Sequence, residues 1–357
     1  MKPGLGLYKQ MLTPENFRFA RQAGAEAIVA HLVDYMPGGP RIPDAKTVPQ
    51  GWGVASREPI WTVDELVALR RSVEAEGLEL AALENFEIGH WHDVLLDGPR
   101  KQEQLAGLQQ LIRNVGEAGI PVIGYNFSLA AVWGHTTGPF GRGGAETVRF
   151  DLAQAPPQTE IPRGMVWNMV YDADAPEGET LGEVTEDQMW GRISDFLHAV
   201  VPVAEEAGVK LAIHPDDPPM PQLRSTARIS THPDRMQRIL DLVPSTSNTL
   251  EFCQGTFSEM PDVDIYETIE RFASADKIAY IHFRNVRGRV PDYTEVFIDE
   301  GDVDMLEALR LYVRHGFDGV IVPDHTPQMA CAAPWHAGMA YALGYIRAGL
   351  RMLEKGS

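Results

Sequence analysis

Five times along the chain a helix-like segment ends in a glycine and passes straight into a short apolar run. The instances are "RQAGAEAIVAHL", "EAEGLELAALEN", "GEAGIPVIGYNF", "EEAGVKLAIHP" and "RHGFDGVIVPDH", with Gly24, Gly77, Gly119, Gly208 and Gly316 at the joints. A glycine directly after a helix is the usual left-handed cap, because it alone takes positive φ without strain. The runs that follow are continuously apolar rather than alternating, as expected of parallel strands covered on both faces. Three more apolar runs lack the glycine: "GLGLY" near the start, "TLEFC" (Thr249–Cys253) and "IAYIHF" (Ile278–Phe283). Eight strands alternating with helices over 357 residues predict a single (β/α)8 TIM barrel spanning residues 1–357. The rival is a doubly wound open sheet, but its Gly-x-Gly-x-x-Gly phosphate fingerprint follows none of these strands.

Two segments break the repeat. Residues from about 35 to 60 and from about 128 to 180 are rich in Gly, Pro, Trp and polar residues, and each follows a strand. In a barrel they rise from the C-terminal face, so they are expected to be loop insertions that cover an active site rather than separate domains.

Charge narrows the partners. The 31 basic and 50 acidic side chains leave a formal charge of −19. Nucleic acid and anionic membrane both need basic patches and are excluded as partners; an anionic small substrate needs only a few local cations. No apolar run approaches the roughly 18 residues of a membrane span, and "MKPGLGLYKQ" has no apolar core of a secretion signal. Cys253 and Cys331 cannot make a disulfide framework. A cytoplasmic location and a homo-oligomer are the expectation.

The chemistry is expected at the strand ends. In "KLAIHPDDPP" (Lys210 to Pro219) the prolines must stop a strand, because proline lacks the N–H a sheet interior requires, and His214 is the last side chain before the stop. The other strands end on Glu84 with Asn85, Tyr125 with Asn126, Glu251 with Cys253, His282, and Asp324 with His325. Taken singly these have ordinary explanations: a hydrogen-bonded histidine, a small buried cysteine, an aspartate cap. Together His214, Cys253, His282 and Asp324 place one donor on each of four successive strands, a set for a divalent ion. Mixed N, S and O donors favour Mn, Fe, Co or Zn over Ca or Mg. His31, His90 and His92 carry no such positional argument and are expected in surface or loop roles.

Those same segments carry a resemblance. "EEAGVKLAIHPDDPP", "LEFCQGT", "YIHFRNV" and "VPDH" resemble, in order and spacing, the signature segments of the mannonate dehydratase family, and "AGIPVIGYNF" resembles that family's strand ending in Tyr-Asn-Phe. The similarity covers nearly the whole chain and is strongest from Gly119 to His325. It implies a xylose-isomerase-like barrel that dehydrates D-mannonate to 2-dehydro-3-deoxy-D-gluconate with Mn²⁺ or Fe²⁺, in hexuronate catabolism. It implies His214, Cys253, His282 and Asp324 as metal ligands and His325 as an acid/base residue. Asn126 and Arg284 would then lie at a small anionic sugar-acid substrate. The chemistry suits these residue types: a divalent ion acidifies the proton beside the carboxylate, and a histidine near neutral pKa exchanges it.

Two segments depart from the family. After "YNF" the chain reads "SLAAVWGHTTG", with Gly134 and His135 where the family has Thr and Arg. After "PDH" it reads "TPQMACAAPWHAGMAY", with Trp335 and His336 near the position of a loop tyrosine. Trp335 cannot shuttle a proton, and Tyr341 falls in an apparent helix as a packing residue. Either His336 is therefore the second proton-transfer group or the native substrate is not mannonate, and His135 is expected at the substrate. Alternatives are a metal-dependent sugar or sugar-acid isomerase or epimerase of the same fold, or a non-catalytic sugar-acid binder.

Overall fold

The computed structural model describes residues 1–34 and 52–356. Among them eight parallel strands close into a barrel: β1 (Lys2–Leu7), β2 (Ala27–His31), β3 (Glu79–Glu84), β4 (Val122–Tyr125), β5 (Lys210–Ile213), β6 (Asn248–Cys253), β7 (Ile278–His282) and β8 (Val320–Val322). They follow one another around the barrel in chain order, and Lys2 opposite Val320 closes the ring. These are the eight predicted runs. All five joint glycines take positive φ, from +68° at Gly208 to +102° at Gly24. Helices after each strand pack outside; Thr62 with Glu65 and Thr185 with Gln188 form capping boxes at the starts of Val63–Glu74 and Glu186–Ala207.

The period of two along each strand sorts side chains between the helix layer and the barrel interior. Inside, a small cluster that includes Ala27, Val29, Ala82, Val122, Ala212, Val320 and Val322 packs together. Two residues further along their strands the same face turns polar, at His31, Glu84 and Asp324. The narrow apolar interior is thus the floor under a polar mouth.

The predicted insertion at about 35 to 60 falls largely on residues 35–51, outside the described residues. The insertion at 128–180 is more ordered than a loop. Its strands His135–Gly138 and Thr147–Asp151 join a hairpin that the sequence reading did not anticipate, Asn285–Arg289 with Asp292–Val296, in a four-stranded antiparallel sheet. Met165–Val166 and Met169–Val170 pair beside Gly53–Val54 in a second small sheet. Short strands separated by glycines and prolines carry little periodicity, which is why composition alone reads as loop.

Two glycines separate backbone strain from packing. A Cβ at Gly208 (φ +68°) or at Gly107, inside the helix Lys101–Glu117, meets nothing within 4 Å. Gly208→Ala is expected to lose about 1 kcal/mol through left-handed strain, whereas Gly107→Ala gains roughly 0.5–1 kcal/mol through helix entropy. Urea denaturation of both variants tests the opposite signs.

Candidate active site

A cleft of about 680 Å³, counting space open to solvent, lies at the C-terminal mouth of the barrel. His214, Glu251, His282, Asp324 and His325 form its floor together with Glu84 and Asp217. Tyr8, His31, Asn85 and Asn126 stand at the side, and Trp52, Trp167, Ala131 and Val132 from the inserted segments supply the apolar wall. Trp167 donates from Nε1 to Asn126 Oδ1 at 3.1 Å, so the cover is tied to the end of β4. His31, the last residue of β2, belongs to the cavity and not to the surface, because its place on the same strand face as Ala27 and Val29 turns it inward. His90 and His92 are likewise buried rather than superficial, on the helix Ile88–Leu96 beneath the inserted segments.

Of the four expected ligands, His214, Cys253 and His282 bring donor atoms within 4.8 Å of one another. Asp324 joins them through His282, its Oδ2 lying 3.3 Å from Nδ1. His282 Nδ1 is buried and makes no hydrogen bond of acceptable geometry. His214 Nδ1–H donates to the Pro215 carbonyl at 2.5 Å, which leaves Nε2 for a ligand. An orphaned imidazole nitrogen beside a carboxylate, a thiol and a second imidazole is a donor set that fits a divalent transition metal. Burial opposes ionisation of Cys253, but Arg284 and His214 hold its thiol well below the ordinary range. Burial likewise opposes the His214 proton, and the Cys253 thiolate overcomes it, raising His214 to about 9. A second group of possible donors, Glu84, Glu251 and His282, lies alongside.

Strand geometry also places His325. β8 ends at Val322, and Asp324 takes φ +58°, so Asp324 and His325 both face the cavity instead of alternating across a sheet. His325 Nδ1 donates to Glu295 Oε1 at 3.1 Å. Burial disfavours its charged form, but Asp324 and Glu295 more than offset that and push its pKa up to about 10.

Three expected site residues are placed elsewhere. Arg284 is 2% exposed and lies beneath the cavity, not in it. Its Nη2 donates to Asp217 Oδ2 at 2.5 Å and Thr256 Oγ1 at 3.0 Å, Nη1 to Glu259 Oε1 at 2.6 Å, and Nε to Asp324 Oδ2 at 3.2 Å. Those carboxylates occupy the donors that a substrate carboxylate would need. His135 is also one layer back. Its Nε2 donates to the Tyr293 hydroxyl at 2.5 Å, and that hydroxyl donates to Asp217 Oδ1 at 2.7 Å. His336 is not brought to the cleft. It sits on the helix Pro334–Gly356, its Nε2 3.0 Å from Asn16 Oδ1 and its ring against Phe19 and Trp335. The "APWHAGMAY" segment is already helical there, and the helix carries the histidine to the barrel's flank.

The sequence reading did not assign Asp217, Tyr293 and Glu295 to the site. Glu84 and Glu251 were visible as strand-end carboxylates, and Glu251 shares a face with Cys253 two residues on. Tyr293 and Glu295 come from the hairpin, for which no strand-end rule existed.

The Arg284 cluster yields a stability test. Arg284→Met would leave Asp217, Glu259 and Asp324 buried without their cation, so a loss of about 3–5 kcal/mol is expected. Arg284→Lys should recover little, since one ammonium cannot reproduce the planar fork. Urea midpoints near wild type for either variant would contradict this.

The comparisons with known proteins agree with the geometry. Residues 16–350 match the family model described as D-mannonate dehydratase (UxuA). A mannonate dehydratase of Streptococcus pneumoniae is 30% identical over 275 residues, covering 74% of each chain. One from Lactococcus lactis subsp. cremoris is 31% identical over 285 residues, covering 74% of this chain and 78% of its own. The crystal structure of mannonate dehydratase from Streptococcus suis serotype 2 superposes with a TM-score of 0.77 at 24% identity, over 99% of this chain and 95% of that one. D-psicose 3-epimerase from Clostridium cellulolyticum H10 shares the barrel at a TM-score of 0.55 and 11% identity, over 99% of this chain and 98% of that one. The chain belongs to the mannonate dehydratase family of hydro-lyases.

Proposed function

We propose that this chain is a divalent-metal-dependent hydro-lyase that dehydrates D-mannonate, or a closely related aldonate, to 2-dehydro-3-deoxy-D-gluconate. The observation that carries this reading is the convergence of His214, Cys253 and His282, with Asp324 against His282, on the floor of a barrel-mouth cleft. These four residues would hold Mn²⁺ or Fe²⁺. When bound, such an ion supplies Lewis acidity to the substrate carboxylate and so acidifies the neighbouring C–H.

The chain's own residues do the rest. His325, anchored through Nδ1 by Glu295, presents Nε2 for proton exchange at the cavity. Asn126, with its Oδ1 occupied by Trp167, keeps its amide N–H groups for substrate hydroxyls. Trp52 and Trp167 pack edge to face at 5.2 Å and shield the cleft from bulk water. Arg284 and His135 act from beneath by fixing Asp217 at the cavity edge. We place the enzyme in cytoplasmic hexuronate catabolism; no helix among the described residues is long and apolar enough to cross a membrane.

The test is turnover of an aldonate panel by Mn²⁺- or Fe²⁺-reconstituted protein, read as appearance of a 2-keto-3-deoxy acid. An epimerised or isomerised sugar acid as the sole product would sink the reading. His325→Asn should keep bound metal and lower kcat by about 10²- to 10⁴-fold. His336→Phe, a change on the barrel's flank, should leave kcat within about twofold. A large loss there would place His336 in the chemistry despite its distance from the cleft.

A further inference from the structure

Two buried carboxylates in the barrel have no part in the scheme above. Glu84 ends β3 and Glu251 lies two residues before Cys253 on β6, and the two are 7% and 1% exposed. Neither oxygen of Glu251 accepts a hydrogen bond of good geometry. A carboxyl group so placed is costly unless something nearby requires it.

What both face is His282. Its Nε2 lies 3.3 Å from Glu84 Oε2 and 3.1 Å from Glu251 Oε1. The contact with Glu84 has hydrogen-bond geometry, a carboxylate accepts from a ring N–H, and Glu251 closes the other side, so Nε2 is the nitrogen that carries the hydrogen. A neutral imidazole has one N–H, and the other nitrogen then keeps its lone pair. That nitrogen is Nδ1, the orphaned atom facing Asp324.

We infer that Glu84 and Glu251 are positioning residues for His282, fixing its Nε2–H tautomer and ring orientation so that Nδ1 is the metal-binding atom. The inference rests on the metal reading proposed above. His214 has the opposite tautomer, since the Pro215 carbonyl takes its Nδ1–H and leaves Nε2. The surroundings are built for the carboxylate pair. The same Glu84 oxygen also lies 3.6 Å from His31 Nε2. On β4 the residue facing Glu251 is Gly124, and a Cβ there would collide with both Glu251 Oε2 and the Tyr280 hydroxyl. One strand, β6, thus delivers a ligand at Cys253 and a buttress for a second ligand at Glu251.

The experiment uses the full-length protein stripped of metal and titrated with Co²⁺, followed by thiolate-to-cobalt absorption and by ions bound per chain. Wild type should bind one ion. Glu84→Gln and Glu251→Gln should still bind one ion, but roughly 10- to 100-fold more weakly. Unchanged affinity in both variants overturns the inference. Two ions in wild type falling to one in Glu251→Gln also overturns it, since Glu84, Glu251 and His282 Nε2 would then be a second cation site. His214→Ala and Cys253→Ala probe the underlying reading separately: full Co²⁺ affinity in both removes the metal site itself, whatever the glutamates do. A measurement on wild type guards against misfolded variants. In the Zn²⁺-loaded, ¹⁵N-histidine-labelled protein, long-range ¹H–¹⁵N spectra should show His282 protonated at Nε2. Protonation at Nδ1 would overturn the assignment.

Discussion

Arg284 lies under the cavity with almost no access to solvent, and carboxylates from four separate elements converge on its guanidinium. Asp217 comes from the turn after β5, Glu259 from the helix Gln254–Glu259, Glu295 from the hairpin and Asp324 from the end of β8. All four are buried or nearly so and share this one guanidinium, and together they join the barrel to its cover. The orientation of the cavity floor depends on this one cation. Asp324 meets His282 from the position Arg284 gives it, and Glu295 meets His325 from a strand beside the same guanidinium. A planar donor fork serves here because it reaches several acceptors at fixed angles.

The same cluster shows why a divalent ion suits the mouth of this barrel. Beyond Arg284, the counter-charges to Glu84, Asp217, Glu295, Asp324 and the Cys253 thiolate are histidines. Their response is visible in His214 and His325, whose protons are held to about 9 and about 10 against the cost of burial. Imidazoles recruited as cations are poor ligands and poor bases. An ion bound by His214, Cys253, His282 and Asp324 would take over that role and return His325 to useful proton exchange.

The barrel was legible in the sequence because two local signals coincide at each repeat. Glycine caps end helices where only positive φ fits, and continuous apolar runs follow where both strand faces are covered. Candidate ligands followed from asking which polar residue ends each strand, a question that picked out His214, Cys253, His282 and Asp324, and the family resemblance pointed to the same four. His31 was within reach of the same rule, as the last residue of "AIVAH", but the rule was not applied to it. Arg284 was misplaced for a physical reason: strand position gives direction, while the partners that already occupy a side chain come from distant segments. Glu259 and Asp217 could be weighed against a substrate only in three dimensions. His336 failed differently, because a sequence offset in a loop does not say when the chain has already turned into helix.

The four-stranded sheet over the barrel mouth has an evolutionary consequence. Two adjacent strands come from the segment between β4 and β5, and the other two, the hairpin, follow β7. Through Tyr293 and His135 the two halves meet at Asp217, and through Glu295 the hairpin grips His325. The sheet thus ties Asp217 on the cavity floor and His325 to one mechanical part. A lineage that alters the strands between β4 and β5 also shifts the hairpin residue that holds His325. Change in this part of the scaffold must therefore be coordinated at two distant stretches of sequence, because one half of the sheet transplanted without the other would leave His325 without its anchor.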